Sequence, residues 1–512
     1  MNSPDTAMNN AGNLKGKLGT WLMIAATVVL AFVMFVEVIN ILFYNPYTDE
    51  KFLFKLAGSL SDVKIGPLTY LMFGSLMVAL MMGLPLAFVT GGLGVAFIYL
   101  VGDAMMLNLI PGRIFPMMAN SDLAAIPLFI FMAAMLERAG LIEEMFNVVY
   151  KWMGGVGGGL AIATVIASTI LAAMVGVIGA AVVTMGIIAL PAMLKRGYDH
   201  KIALGSIMAG GTLGILIPPS ILAILYAVVA QQSVGELYLG SVVPGVLLSS
   251  LYVFYVWMRA RINPELGPPI PEEERIGLKD KLLLLKDLIA PLILVFLVLG
   301  LLFGGIATPV EAAGIGSFGA ILVAMKHKVF SIATLRDASV TTAKATAMVL
   351  WIMFGASVFV GFYILQGGQD FITETILGTG LSAYGILFLL MVLLVVLGMF
   401  LDWVGILLLA VPIFIPIVEA LEFPGLFGLP GVSGEDAVLW FGVLYLVNMQ
   451  MSFLSPPFGY ALFYIRGVCP PDITMGTIIN SALVFLAIQA FALFLCVLFP
   501  AMTTWLPNLA YG

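Results

Sequence analysis

The sequence predicts an all-α polytopic membrane protein built from two inverted repeats, each with a re-entrant helical hairpin and a discontinuous helix. Of its 512 residues, 62% are hydrophobic and 10% are charged, and the mean hydropathy is +1.13, which excludes an ordinary soluble protein. Two apolar segments in opposite halves are also interrupted by a Pro-Pro pair in matching surroundings. Such paired interruptions are typical of transporters whose binding site lies near the middle of the membrane.

The first interrupted segment spans residues 201–231 and carries no charge after its first residue. The pair Pro218-Pro219 at its middle removes backbone donors, and each proline pushes the preceding residue out of helical geometry. Carbonyls freed at membrane depth are tolerated only inside protein or beside a water-filled cavity, so we predict a binding region here. A proline kink packed against small residues is the alternative. The candidate binding residues are Gly210, Gly211, Thr212, Gly214, Pro218, Pro219 and Ser220.

The second interrupted segment, residues 438–466, repeats this pattern. Its Pro456-Pro457 pair corresponds to the first Pro-Pro pair, and Tyr464 follows it at the same offset as Tyr226 follows the first. This agreement of flanking residues favours a repeated binding element over a chance match of prolines. The candidate binding residues are Asn448, Gln450, Ser452, Ser455, Pro456 and Pro457.

The chain begins with a polar tail, residues 1–19, which has no signal-peptide pattern and is expected to be cytoplasmic. Residues 20–67 are interpreted as an extra N-terminal transmembrane helix, at 21–43, and its polar connection. Glu37 lies near one end of this helix, where its carboxylate can reach the interface. The two cysteines and two histidines of the chain form no metal-ligating or disulfide pattern.

Residues 68–258 are interpreted as the first repeat. Two short spans, 68–84 and 85–101, are separated by a Gly-Leu-Pro turn. The amphipathic segment 103–118 is expected to lie along the membrane interface, and 122–136 to cross the membrane.

The segment 157–194 is about twice as long as one crossing requires and is interrupted at residues 175–179. We interpret it as a re-entrant hairpin, because two full crossings of about 20 residues each plus a turn would need a slightly longer segment. Lys195, Arg196 and Lys201 follow at once, which predicts a cytoplasmic mouth. The candidate binding residues at the hairpin tip are Val175, Gly176 and Gly179.

The charges of the remaining loops predict the side of the membrane on which each loop lies. The basic loop 259–287 is expected in the cytoplasm, whereas residues 366–382 and 421–437 contain no Lys or Arg and are expected outside. The second hairpin therefore opens to the side opposite the first. An odd number of crossings between the hairpins makes the second copy inverted.

Residues 288–512 are interpreted as the second repeat. Thr308, Pro309 and Glu311 have the spacing of a capping box with proline at the first helical position, so a structural role for Glu311 is favoured over a functional one. The predicted elements are scaffold helices at 288–303, 308–325 and 345–365, a hairpin at 383–420, the broken helix at 438–466 and a last helix at 479–499.

The second hairpin is interrupted at residues 398–405, and its candidate binding residues are Gly398, Asp402 and Gly405. A carboxylate at membrane depth is costly unless it is paired, so Asp402 is the acidic residue predicted to act in ion coupling. The alternative is that Asp402 caps the returning helix by accepting amide hydrogen bonds from Val404 or Gly405. The two roles are not exclusive.

Four motifs give the chain a resemblance to the large membrane subunit of tripartite ATP-independent periplasmic (TRAP) transporters, from about residue 68 to the end. They are Leu-Pro-Ala-Met-Leu-Lys-Arg-Gly-Tyr-Asp at 190–199, Gly-Ile-Leu-Ile-Pro-Pro-Ser at 214–220, Thr-Pro-Val-Glu-Ala-Ala at 308–313 and Gly-Met-Phe-Leu-Asp at 398–402. The helix at 21–43 is extra and resembles the connecting helix of fused small-plus-large versions, and the loop 259–287 is longer than usual for the family.

The resemblance implies an elevator-type fold similar to the wider ion-transporter superfamily, and sodium-driven uptake of a small organic anion in the bacterial inner membrane. It also implies a small four-helix membrane subunit and a periplasmic substrate-binding protein as partners, with no nucleic-acid partner and no cofactor besides the coupling sodium ions. The implied sodium ligands are Gly176, Gly210, Thr212 and Gly214 at a first site, and Gly398, Asp402, Ser452 and Ser455 at a second.

The tip of the first hairpin departs from the family pattern. Family members usually read Ser-Gly-Ser-Ser, whereas this chain has Val175, Gly176, Val177 and Ile178. A first sodium site would therefore depend on tip carbonyls, Thr212 and the carbonyls of 210–214.

Other function classes fit the sequence less well. An intramembrane enzyme would need an acid pair, a nucleophile with a base or a metal set at membrane depth, and the sequence shows none of these patterns. Hairpins that open to opposite sides favour alternating access over a channel. A stand-alone sodium/anion symporter and a non-transporting structural membrane subunit remain the alternatives.

Overall fold

The computed structural model describes residues 63–511 except residue 103, residues 176–177, residues 426–429 and residue 458. The predicted tail and the predicted helix at 21–43 lie outside the described residues, as do Gly176 and Val177 of the first hairpin tip. The described part of the chain is helical apart from turns, loops and one isolated β-bridge between Phe423 and Val432.

The helices are α1 (Ile65–Met81), α2 (Leu86–Leu100), α3 (Leu109–Met118), α4 (Ala125–Arg138), α5 (Leu141–Met153), α6 (Gly159–Val175), α7 (Ile178–Lys195), α8 (His200–Thr212), α9 (Ile221–Ala230), α10 (Val234–Ile262), α11 (Leu278–Phe303), α12 (Pro309–Lys326), α13 (Ile332–Leu365), α14 (Gly368–Leu377), α15 (Ala383–Gly398), α16 (Trp403–Glu419), α17 (Gly434–Leu454), α18 (Tyr460–Val468), α19 (Met475–Leu498) and α20 (Ala501–Tyr511). Among them are six helices that are long and apolar enough to cross a membrane, or up to eight spans if two bent pairs each count as one.

One group of helices forms a scaffold in which α13 packs along α2 and α4, and α4 packs along α12. Small residues bring α13 and α2 together: a Cβ on Gly355 would lie 2.5 Å from the carbonyl oxygen of Ala87 and 3.0 Å from the amide nitrogen of Gly91. Close backbone approach of this kind provides the van der Waals contact that holds helices together in lipid.

The second group contains both hairpins and both broken helices, as the sequence predicts. Helices α6 and α7 pair as the first hairpin, and α15 and α16 as the second. The first broken helix consists of α8, a 3-10 turn at Leu213–Ile215 and α9, and the second consists of α17 and α18. Helix α19 packs against both α8 and α17 and so joins the two broken helices.

Several predicted boundaries are wrong because helices continue beyond their apolar segments. The predicted loop 259–287 is shorter, since α10 runs to Ile262 and α11 begins at Leu278. Arg259 and Arg261 stand in the last turn of α10, where cations complement the helix dipole. Helix α13 begins at Ile332 instead of 345, and the helix at 479–499 is followed by α20.

The capping box before α12 is confirmed. The amide of Glu311 donates to Thr308 Oγ1 at 3.3 Å, and the Glu311 carboxylate accepts from the Thr308 amide at 2.8 Å. These reciprocal bonds satisfy the helix start, which accounts for Glu311 without a binding role.

The loop between α10 and α11 docks on the mouth of the first hairpin through backbone hydrogen bonds. Gly158 donates to the carbonyl of Gly267 at 2.8 Å, and the amide of Ile270 donates to Gly154 at 2.9 Å. We call residues 263–277 the connecting strap. Its bonds tie the connection between the two repeats to one hairpin.

Candidate functional site

The first break is a stretch of backbone with few internal hydrogen bonds. Ser220 caps α9: its hydroxyl accepts from the amide of Ala223 at 3.4 Å and donates to the carbonyl of Ile215 at 2.6 Å. The Pro218–Pro219 peptide bond is cis. The carbonyls of five break residues accept no hydrogen bond from the described part of the chain. They belong to Gly214, Leu216, Ile217, Pro218 and Pro219.

Two glycines let the arms of the first hairpin lie against this break. A Cβ on Gly210 would lie 2.8 Å from the Cβ of Ser168 on α6, and one on Gly211 would lie 2.3 Å from a methyl of Val182 on α7. Ser168 is fully buried, and its hydroxyl has no hydrogen-bond partner in the described structure. Sequence reasoning missed Ser168 because it lies seven residues before the tip, yet it supplies a free hydroxyl beside Gly210.

The second break also exposes polar atoms to the inside of the protein. The side-chain amide of Asn448 donates to the carbonyl of Met391 on α15 at 2.8 Å, while its oxygen is buried without a partner among the described residues. The Ser455 hydroxyl donates to Met451 at 2.7 Å. The Pro456–Pro457 bond is cis, as in the first break.

The tip of the second hairpin lies against this break. Gly398, at the end of α15, contacts Ser452, and the phenol of Tyr445 donates to the carbonyl of Trp403 at 3.4 Å. Asp402 occupies the N-cap position of α16 with extended backbone angles, φ −69° and ψ 154°. The backbone amides of Trp403 and Val404 face its carboxyl group, but no hydrogen bond of capping geometry is formed.

Tyrosines connect the two hairpin tips. Tyr460 and Tyr464 of α18, together with Tyr445, lie within electrostatic range of the Asp402 carboxyl group. A Cβ on Gly179, just after the first tip, would lie 3.1 Å from the ring of Tyr464. Tyr464 therefore packs against the first hairpin and also lies within electrostatic range of Asp402 at the second.

A cavity of about 490 Å³ adjoins this region between the scaffold and the second hairpin. Its lining residues are Met77, Leu80, Met81, Gly83, Phe400, Tyr460 and Phe463. This cavity borders both the α1–α2 turn and the tip of the second hairpin.

The structure brings together much of each predicted set. Gly398, Asp402, Ser452 and Ser455 lie at the second tip and break, and Gly214 lies in the first break. Gly210 and Thr212 instead belong to the last turn of α8, where the Gly210 carbonyl accepts from the amide of Leu213, so the predicted run of free carbonyls over 210–214 is wrong at its start because the helix continues to Thr212. Gly405 instead faces the scaffold, where a Cβ would meet Leu86 of α2. Gln450 faces away from the second tip toward Thr212, with 3.5 Å between Gln450 Oε1 and Thr212 Oγ1.

Within the described ranges, no group of three or more His, Cys, Asp and Glu residues could hold a metal ion. Backbone carbonyls, hydroxyls, side-chain amides and a single carboxylate dominate the two breaks. Unwound carbonyls and half-helix ends of this kind coordinate sodium in transporters with discontinuous helices.

Comparison with known proteins identifies the family of this chain. Residues 73–502 match the model of the family described as tripartite ATP-independent periplasmic transporter, DctM component. The C4-dicarboxylate TRAP transporter large permease protein DctM of Rhodobacter capsulatus is 30% identical over 461 residues, 86% of this chain and 98% of the relative. The same-named protein of Vibrio cholerae is 29% identical, over 85% of this chain and 96% of the relative.

A third relative, the isethionate TRAP transporter permease protein DctMQ of Oleidesulfovibrio alaskensis, is 30% identical over 79% of this chain and 61% of its own length. Among solved structures, the YdaH transporter of Alcanivorax borkumensis superposes with a TM-score of 0.55 at 14% identity, covering 83% of this chain and 97% of that one. MtrF of Neisseria gonorrhoeae gives a TM-score of 0.55 at 13% identity, over 88% and 97%. The two structural matches share the fold, and the family match, which covers most of the chain, shows that this multi-pass membrane protein belongs to the DctM family of TRAP transporter large permeases.

Proposed function

We propose that the chain is the membrane-translocating subunit of a secondary importer that couples sodium entry to uptake of a small organic anion. A periplasmic binding protein delivers the substrate, and a small four-helix membrane subunit braces the scaffold in the bacterial inner membrane. The tripartite description of the family supports both partners. Two relatives are named for the transport of C4-dicarboxylates and isethionate, which are small organic anions, and this supports an anionic substrate.

The observation that carries this proposal is the carboxyl group of Asp402, which stands at membrane depth beside the second break and next to the Gly398–Ser452 contact. The amides of Trp403 and Val404 face it without a hydrogen bond of capping geometry. A buried carboxylate is stable only when a cation, a donor or water pairs with it. A sodium ion bound between Asp402 and the hydroxyl and carbonyl oxygens of the break supplies that pairing and makes the site neutral.

The half-helices favour the substrate's negative charge. Helices α9 and α18 begin at the two breaks, after Ser220 and Gly459. The positive end of each helix dipole points into its break, where an anionic group is stabilised. Sodium at the carboxylate and an anion at the half-helix ends are then mutually stabilising, which couples their binding.

The test is uptake into proteoliposomes that contain this chain and its small membrane subunit, with the binding protein and its labelled ligand outside. Uptake is expected with an inward sodium gradient and without ATP, and none with sodium absent on both sides. Sodium-independent uptake would contradict the coupling. Uptake that persists without the binding protein would favour a stand-alone symporter instead.

A further inference from the structure

Another cavity, of about 550 Å³, lies between α1 and α14 on one side and the second hairpin, α15 and α16, on the other. Its α1 wall runs from Thr69 to Met77, a length of about 12 Å at the helical rise of about 1.5 Å per residue. Met77 also borders the cavity of about 490 Å³ beside the second tip, so the two cavities are neighbours along α1. We call the cavity of about 550 Å³ the hairpin groove.

The hydroxyl groups of the two threonines in the wall of the hairpin groove already have partners inside the protein. The Thr69 hydroxyl donates to the carbonyl one turn earlier at 2.8 Å and shares a hydrogen bond of 2.9 Å with the hydroxyl of Tyr363. The Thr375 hydroxyl donates to the carbonyl one turn earlier at 2.6 Å. Apart from Tyr70, the other described residues that line the groove are apolar. Water in a cavity needs about two to four polar partners, and an organic anion needs donors, so the groove suits neither.

The groove is open along the apolar outer surface of the protein. Tyr70 and Leu393 line it from α1 and α15, and they are 78% and 38% exposed. Beside them on the same two helices, Leu71 and Phe388 are large, apolar and exposed. In a protein with transmembrane helices, a surface of this kind meets the hydrocarbon of the bilayer. The opening of the groove therefore faces lipid chains.

One end of the groove lies near the level of the lipid headgroups. A Cβ on Gly66, in the first turn of α1, would lie 3.5 Å from the ring of Phe371, which brings the starts of α1 and α14 together. Lys64, just before α1, and Asp370, in the first turn of α14, are exposed there. Charged side chains near the ends of apolar helices reach the membrane interface. The length of about 12 Å is close to the about 15 Å of hydrocarbon in one leaflet.

We propose that the hairpin groove binds one acyl chain of a bilayer phospholipid, which enters sideways from the membrane. The apolar wall, the lateral opening and the length match a hydrocarbon chain whose headgroup stays at the interface. The bound chain fills the space between α1 and the second hairpin by van der Waals contact. This inference does not rest on sodium coupling. None of the ligands proposed for the second sodium site is among the described residues that line the groove.

The test uses the purified full chain in nanodiscs of phosphatidylethanolamine and phosphatidylglycerol. A small fraction of the phosphatidylethanolamine carries a photoreactive diazirine in one acyl chain, and lipid adducts are mapped by peptide mass spectrometry. Any surrounding lipid would form adducts on the exposed face of α1. The diagnostic adducts are those on Leu409, Ala410 and Ile413 of α16, which line the groove and are buried. They are expected in the native chain.

Gly74→Leu should displace the acyl chain, because it fills the groove from α1. Gly74 lines the groove, and an added Cβ would have no neighbour within 4 Å among the described residues. The adducts on α16 should be lost, while those on the exposed face of α1 remain. The matched control is Gly92→Leu on α2. Gly92 has equally open space around its Cβ position and does not line the groove, so this variant should keep the adducts on α16.

A native chain without adducts on α16 would overturn the proposal, and so would equal adducts in Gly74→Leu and the control. The small membrane subunit is the competing occupant. If it fills the groove, adding it to the nanodiscs would remove the adducts on α16, and that result would also overturn the proposal. If Gly74→Leu does not fold, Ala410→Leu fills the groove from α16, with the same expected loss at Leu409 and Ile413.

Discussion

Gly398 and Ser452 are in contact across the second hairpin and the second broken helix: a Cβ on Gly398 would lie 2.2 Å from the Cβ of Ser452 and 2.4 Å from its Oγ. Ser452 Oγ in turn lies 3.4 Å from the carbonyl of Asn448 and 3.5 Å from that of Leu394. The contact seats the hairpin tip, and with it Asp402, against the broken helix.

Gly398→Ala is expected to push the hairpin off α17, because the atom it meets is a rigid Cβ and not the end of a flexible side chain. Overpacking of this kind costs about 1–3 kcal/mol. The melting temperature should fall and uptake should be lost. Gly385→Ala on the same helix is the control, since its nearest neighbour lies at 3.4 Å. Equal uptake in both variants would contradict a role for the contact.

Asp402→Asn should raise the sodium concentration for half-maximal uptake by about tenfold, the factor that corresponds to about 1.4 kcal/mol of binding free energy. Asp402→Ala should have the same effect on sodium. It should cost no more stability than the about 1 kcal/mol of a lost N-cap, because the Trp403 and Val404 amides face the carboxyl group without a hydrogen bond of capping geometry.

The control for Asp402 is Ser382→Ala. Ser382 does cap its helix, accepting from the amide of Gly385 at 3.3 Å. Its removal should lower the melting temperature and leave sodium dependence unchanged. Unchanged sodium dependence in Asp402→Asn would limit Asp402 to a structural role at the start of α16.

The predicted orientation is tested by labelling single cysteines from either side of the membrane. His200 and Glu273 are exposed and should label from the cytoplasm, whereas Asp370 and Glu435, also exposed, should label only from the periplasm. The nearby glycines Gly368 and Gly434 are unsuitable for cysteine substitution. A Cβ on Gly368 would meet the ring of Tyr363, and Gly434 has φ +58°, which a residue with a side chain rarely adopts. Cytoplasmic labelling at position 435 would contradict the inverted repeat.

Background labelling in that experiment should be slow. Burial raises the pKa of the Cys469 thiol, with Asp472 adding to the rise and Arg466 opposing it. Less of the reactive thiolate is then present at neutral pH. Cys496 is fully buried. The native chain, whose two cysteines are Cys469 and Cys496, should therefore remain unlabelled over the time in which a cysteine at position 200 reacts completely.

Gly158→Ala should loosen the connecting strap, residues 263–277. Gly158 has φ +75°, and an added Cβ would lie 3.0 Å from Ala260 and 3.1 Å from Val256. The left-handed conformation alone costs a residue with a Cβ about 1–2 kcal/mol. Trypsin should therefore cleave faster after Arg275, which the native strap holds by a 3.0 Å bond to the Ile270 carbonyl. Gly155→Ala, with no neighbour within 4 Å, should cleave at the native rate.

The breaks and hairpins were predictable because proline and glycine act on their own backbone, so Pro218-Pro219 and Pro456-Pro457 mark the interruptions wherever the helices pack. The ends of the helices were not predictable in this way. Hydropathy marks where contact with lipid stops, but helical hydrogen bonding can continue into charged sequence, as it does from Arg259 to Ile262. Gln489 was missed for another reason. A lone glutamine in an apolar helix has no pattern, and its partner Thr212 lies 277 positions away.

Two tyrosines at matching positions after the Pro-Pro pairs do not have matching environments. Tyr226 and Tyr464 follow their Pro-Pro pairs at the same distance, but Tyr226 is fully buried and donates to the carbonyl of Val438 at 2.9 Å, whereas Tyr464 is 38% exposed. The repeat fixes the backbone position. The neighbours, which differ between the halves, decide what the side chain does.

Gly179 of the first hairpin packs against the ring of Tyr464 on α18, so this contact joins the first hairpin to the second broken helix. The ring that supports the first tip lies within range of the charge on Asp402 at the second. We expect an ion that binds at one hairpin tip and shifts Tyr464 to change the ion affinity of the other tip, and thermodynamic linkage makes any such effect reciprocal. Gly179→Val, which places a larger side chain against the Tyr464 ring, would disrupt this contact. Ion binding at one hairpin tip would then leave the ion affinity of the other tip unchanged.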